Sequence, residues 1–364
     1  MRTHLRPCAQ VKTVKTLKRT RRWHAYIPFG VMYAYPLRVP LRYFTLHYST
    51  LRYLTMTNRF LTCLREAVPG AVKSTVWLLK LMIPISLAVT LLQYFDILDW
   101  AAQYLHPVFA YMGLPGASAV AYISGAAAGT YAGVAAMMSM PLTMREATII
   151  SIMVALCHAL PMECAVNKMT GSSFWKMCLV RIVMAFVSAV MLNALLPEMG
   201  DPFIYLGVSG ENSFGETMKA WVVSQLEISV MVAAIIYALM YVQRLIEAFG
   251  LLRPLSRFFA PLMKLFGLPR EAAYLWLVGN VLGISYGSAV MVELEEKGIV
   301  TRDEANDTNY HLIMNHSLLE DTVVFSSIGV SPVLLVSVRV GYAMVVVWCR
   351  KAVKYLALRM KAGR

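Results

Sequence analysis

The sequence predicts an all-α, polytopic integral membrane protein with two inverted-topology repeats and broken or re-entrant helices near the midplane. Composition, long apolar segments and an internal repeat with mirrored flanking charges lead to this reading. Apolar residues make up 58% of the chain and charged residues 15%, with a mean hydropathy of +0.58, far from the balance of soluble domains. The stretches at 72–92, 218–242 and 332–348 approach the roughly 20 apolar residues that a helix needs to cross about 30 Å of hydrocarbon. Helices are required because lipid offers backbone groups no partners, and a closed barrel would show period-2 alternation instead.

Eleven Lys and Arg fall in residues 1–55 without one Asp or Glu, so the net charge of +14 belongs mainly to this stretch. It does not mark a nucleic-acid-binding surface. The stretch has no amphipathic period and no apolar core of signal-peptide length. Residues 1–55 read as a basic N-terminal extension, disordered or not native, upstream of a membrane-protein start at Met56; its deletion is expected to leave the fold intact. The alternative is an Arg-rich targeting or anionic-lipid-binding segment.

Self-similarity organises the remainder. With an offset of 154, Gly113 pairs with Gly267, Pro115 with Pro269, and Gly125, Gly129 and Gly133 with Gly279, Gly283 and Gly287. After a four-residue insertion in the second copy, Thr143 pairs with Thr301, Glu146 with Glu304, His158 with His316, Gly171 with Gly329 and Arg181 with Arg339. The expected domains are repeat one at 56–196, an external connection at 197–217, repeat two at 218–350 and a basic cytoplasmic tail at 351–364. In order, each repeat holds a leading helix, an interfacial stretch, a glycine-rich segment, a His-bearing segment and a closing helix.

Positive charge orients the copies. Arg59, Arg65 and Lys73 place the start of repeat one inside, whereas 197–217 carries Glu198, Asp201, Glu211 and Glu216 and no base. The interfacial stretch of repeat one has no Lys or Arg, but its counterpart carries Arg244, Arg253, Arg257 and Lys264. This is the charge signature of an inverted repeat. Repeat one then crosses an odd number of times, so one segment turns back within the membrane. It is either the glycine-rich segment, as a re-entrant hairpin, or the His-bearing segment, broken by Pro161.

The polar cluster repeats as VALCHALPMECAVNKMTG and LIMNHSLLEDTVVFSSIG, pairing His158 with His316 and Glu163 with Asp321; Met162 stands opposite Glu320. Ionisable groups in membrane segments are costly and point to function. His158, Glu163, Asn167, Asn280, Asn315, His316, Glu320 and Asp321 are therefore the candidate solute- or ion-binding residues. Four-residue spacing puts His316 and Glu320 on one helical face, while Glu163 reaches His158 only if Pro161 distorts the helix. A histidine beside a carboxylate can carry protons. With Cys157 and Cys164 the set also offers divalent-metal ligands, although repeat two has Asn315 and Thr322 in place of the cysteines. The bland reading is hydrogen-bonded glue between repeats. Glycines at spacing four suggest one close-packing helical face, or else a solute path shared with Ser124, Thr130, Asn280 and Ser285. Arg181 and Arg339 are expected to snorkel to the interface, a salt bridge to the acidic cluster being the lesser option.

GLPGASAVAYISG and GLPREAAYLWLVGN, followed by CHALPME and NHSLLED, resemble the nucleoside-recognition or Gate-domain membrane proteins. That family includes spore maturation proteins A and B and the membrane part of ferrous iron transport protein B. The resemblance spans about residues 60–350 and implies an inner-membrane protein of two Gate repeats, of transporter type, without specifying a nucleoside. Unlike the iron transporter, the chain shows no GTPase domain.

The six cysteines form no CxxC pair and imply no disulfide framework. No GxxxxGKS/T loop and no Ser-His-Asp or strand-turn-helix GxSxG context is visible, so neither an enzyme nor a cofactor is expected. The expected function is gradient-coupled secondary transport of a small polar solute or ion across a bacterial inner membrane. The alternatives are a divalent transition-metal permease and a non-transporting scaffold or assembly partner. Lipid and the solute are the expected partners and nucleic acid is not; a homo-oligomer is compatible with the sequence.

Overall fold

The structure, a computed structural model, describes residues 41–203 and 213–362. Contacts divide the chain into residues 1–54 and 55–364, and of the first unit only helical backbone from Leu41 is described. The expectations for residues 1–40 and 204–212 lie outside the described residues.

Among the described residues the chain is helical, with one isolated antiparallel bridge between Thr143 and Pro202. The segment expected as repeat one, with the helix that leads into it, holds α1 (Leu41–Tyr94), α2 (Ile97–Ala110), α3 (Ser118–Ala128), α4 (Thr130–Met138), α5 (Met144–Cys157), α6 (Leu160–Met169) and α7 (Phe174–Leu195). The segment expected as repeat two is covered by α8 (Phe214–Ala248), α9 (Leu252–Leu265), α10 (Ala273–Val281), α11 (Ile284–Glu296), α12 (Arg302–Asn315), α13 (Leu318–Ser327) and α14 (Pro332–Ala362). Among the described residues, five spans are long and apolar enough to cross a membrane: Arg59–Tyr94, Met144–Met169, Phe174–Leu195, Phe214–Ala248 and Pro332–Met360.

Two helices run across expected boundaries. Helix α1 begins at Leu41 and runs through residue 55, so residues 41–55 are helical. Extending an existing helix needs no new nucleus, and a stretch without amphipathic period can still propagate it. Likewise α14 continues to Ala362, and residues 351–362 form its last turns rather than a separate tail.

The glycine-rich segment is the one that turns back. A Cβ built on Gly133 would lie 3.3 Å from the Gly125 Cα, and one on Gly287 would lie 3.1 Å from the Gly279 Cα. Residues eight apart in one straight helix would be about 12 Å apart. The glycines therefore do not line a single helical face: α3 and α4 fold against each other, as do α10 and α11. The middle glycine of each set makes the reversal, Gly129 at φ 108° and Gly283 at φ 92°. Each arm spans at most about 20 Å, short of the roughly 30 Å of hydrocarbon.

The His-bearing segment breaks but continues onward. Helices α5 and α12 open on the same capping box, in which Thr143 accepts from the Glu146 N–H and Thr301 from the Glu304 N–H. Both end on an extended histidine, His158 or His316, followed by a left-handed residue, Ala159 or Ser317. Pro161 is not the cause, because repeat two breaks identically with Leu319 at the matching position. The proline sits in the first turn of α6, where a missing N–H leaves no bond unmade. From Ala147 to Cys157, α5 is buried and almost wholly apolar, which makes it a central helix packed against α7.

Candidate functional site

Each histidine sits where its helix stops, so its ring projects from the end of a rod and meets the opposite copy. The two imidazole centroids are 4.9 Å apart. His158 places Nδ1 3.1 Å from Glu163 Oε1 and Nε2 3.2 Å from Asp321 Oδ2. His316 places Nε2 3.0 Å from Glu163 Oε1 and Nδ1 2.9 Å from the Leu312 carbonyl. Glu163 thus touches both rings. It reaches His158 because the break after α5 redirects the chain.

The same break separates His316 from Glu320. Their four-residue spacing does not place them on one face, since Ser317 interrupts the helix between them. Glu320 instead accepts from the Tyr131 hydroxyl at 3.2 Å, and Asp321 accepts from Thr130 at 2.9 Å. Both donors stand in the first turn of α4, just past the Gly129 reversal.

Arg181 and Arg339 are fully buried and do not snorkel. Arg181 Nη1 lies 2.5 Å from Glu163 and its Nε donates to the Leu156 carbonyl at 2.8 Å. Arg339 Nη1 lies 2.7 Å from Asp321, its Nε donates to the Met314 carbonyl, and its Nη2 donates to the His316 carbonyl. Each arginine therefore satisfies carbonyls freed by a helix break and neutralises one carboxylate. Two further carbonyls complete the design, with Gly125 accepting from the Ala159 N–H at 3.0 Å and Gly279 from the Ser317 N–H at 3.1 Å.

A cavity of about 250 Å³ opens beside this cluster, lined among others by Trp77, Thr130, His158, Glu163, Glu320 and Asp321. His316, Asn167, Asn280, Asn315, Ser124 and Ser285 are not on its wall. The Asn167 amide donates to the Glu163 carbonyl and the Asn280 amide to the Trp276 carbonyl, each within its own helix. Cys157 faces the Tyr122 hydroxyl, 3.3 Å away. His158, Glu163 and His316 each offer one atom within 4.8 Å of the others; Glu163 faces both rings through Oε1, while Arg181 holds its Oε2. Ser285, inside the string GISYG, lies on a helical hairpin rather than on a strand-to-helix elbow.

Sequence reading gave the arginines a salt bridge to the cluster only as the lesser option, and it missed Tyr131 and Trp77. The register-matched pairs Glu163–Arg181 and Asp321–Arg339, both 18 apart, were the available signal.

Long apolar helices, two helical hairpins and a buried ionic cluster define a polytopic integral membrane protein. Residues 75–173, which include His158 and Glu163, match the Gate family model, described as nucleoside recognition. The chain is 29% identical over 271 residues to the uncharacterized membrane protein YvoD of Bacillus subtilis, covering 72% of this chain and 87% of that protein. No solved structure matches the chain.

Proposed function

We propose that the protein is a gradient-coupled secondary transporter of a small polar solute or ion in a bacterial inner membrane, working without nucleotide hydrolysis. The observation that carries this reading is the cavity of about 250 Å³ against the two broken helices, walled by an imidazole and three carboxylates. Its size is below the usual range for drug-sized ligands, which suits a small solute. Irregular backbone and ionisable groups inside membrane segments are the recurring form of transporter sites. A scaffold would need the cluster without a cavity. The family description mentions nucleosides, so nucleosides belong in a substrate screen beside amino acids, small organic ions and divalent metals.

The test is uptake by proteoliposomes across those classes, with His158→Ala and His316→Ala beside the parent chain. Each substitution should abolish flux of the transported class while thermal unfolding stays within a few degrees. Parental flux in both variants would overturn the assignment of the site.

A further inference from the structure

Three carboxylates meet at the cluster, but only two have an arginine. Glu163 is held by Arg181 and Asp321 by Arg339, in matching geometry. Glu320 lines the cavity, its repeat counterpart is the apolar Met162, and its hydrogen bond is the one it accepts from Tyr131. The groups that face it do not neutralise it. Tyr131 comes from α4, Glu163 from α6, and Asp321 is its neighbour on α13; His158 bridges Glu163 and Asp321, and the Arg339 guanidinium is on Asp321. Among the described residues, Lys73 and Lys80 of α1 and Lys219 and Arg244 of α8 form no ion pair with it. On α8, Glu227 is exposed and Glu247 is paired with Arg244, while α10 has neither acid nor base.

A carboxylate without countercharge is costly inside a membrane, and a bound proton is the simplest way to remove that cost. We propose that Glu320 is the proton carrier of the transport cycle. Oε1 keeps the Tyr131 hydroxyl, Oε2 takes a proton from a hydronium ion entering the cavity, leaving the neutral acid and water, and the new O–H bond later breaks to return the proton to water on the other side as hydronium. Glu163 and Asp321 stay ionised on their arginines, holding the broken helices in place. The paired carboxylates are thus structural and the unpaired one is exchangeable.

The role in a cycle rests on the transport reading, but protonation can be tested without a substrate. The experiment is pH-difference infrared spectroscopy of the full chain in phosphatidylcholine nanodiscs, reading the carbonyl stretch of protonated carboxyls. Acidification should raise a band that Glu320→Gln removes and that Tyr131→Phe shifts to higher frequency, because the carbonyl loses a donor. The proposal is overturned if the parent shows no such band or if the band survives in Glu320→Gln. Should Glu320→Gln fail to fold, an unshifted band in Tyr131→Phe overturns it instead. A band that behaves as expected together with parental flux in the histidine variants would reject the transport site while leaving the proton site standing.

Discussion

Glycine at 125 and glycine at 129 are kept for different reasons, and substitution should separate them. A Cβ on Gly125 would meet Val154 Cγ1 at 2.6 Å, whereas one on Gly129 has open space out to Ala159 Cβ at 4.0 Å but requires φ 108°. Gly129→Ala should therefore cost about 1–3 kcal/mol through backbone strain alone. Gly125→Ala should be destabilising through the clash, and Val154→Ala should restore part of the loss in the double variant, with no such rescue for Gly129→Ala. Thermal unfolding in detergent reads both. The arginines offer the sharpest residue-scale test. Removing Arg339 strands the buried Asp321 carboxylate and the Met314 and His316 carbonyls together, so Arg339→Met should cost about 3–5 kcal/mol. Arg339→Lys should recover little, because an ammonium has no planar fork to span a carboxylate and two carbonyls.

At the scale of elements, the break between α5 and α6 is set by partners from other helices. Pro161→Ala should consequently change stability by less than about 1 kcal/mol and leave the break in place, since α12 and α13 break in the same way without proline. The N-terminus of α12 is tied to the end of α14 by Asp303, which lies 2.5 Å from Lys354 and 3.4 Å from Arg350. The Lys354 hydrogen bond, followed by the charges of Lys354 and Arg350, holds the Asp303 carboxyl below the usual aspartate range. Because the folded value is the lower one, this contribution is complete above the unfolded value of about 3.9 and fades as pH falls through the folded value. Asp303 is largely exposed, so the effect should be about 1 kcal/mol or less. In Asp303→Asn, unfolding measured against pH should lose that small acid-side slope.

For the molecule as a whole, the mirrored charges require residues 197–217 outside and both 244–270 and the C-terminus inside. Cysteines placed at Gly200 or Gly250 in a Cys8→Ser, Cys349→Ser background, where the other native cysteines are buried, should label from opposite faces with an impermeant maleimide, and Gly250 should share its face with Cys349 in the Cys8→Ser chain. Labelling of Gly200 and Cys349 from one side would overturn the inverted arrangement. The helical class and the membership of His158, Glu163, His316 and Asp321 in one polar cluster were legible in the sequence. Composition sets the solvent, and repeated residues at matched positions recur because they answer the same local need: the capping threonines 143 and 301, the turn glycines 129 and 283, the arginines 181 and 339. Tertiary structure alone decided which segment turns back, why the helices break, and where each charge finds its partner. Those outcomes depend on groups distant in sequence meeting in space, as when the Arg181 guanidinium reaches the Leu156 carbonyl 25 residues away and Tyr131 reaches Glu320 across 189. A helical period carries no information about a helix that stops, so the spacing of His316 and Glu320 misled, while the desolvation cost of an unpaired arginine drew Arg181 and Arg339 inward to carboxylates that the linear sequence left unassigned.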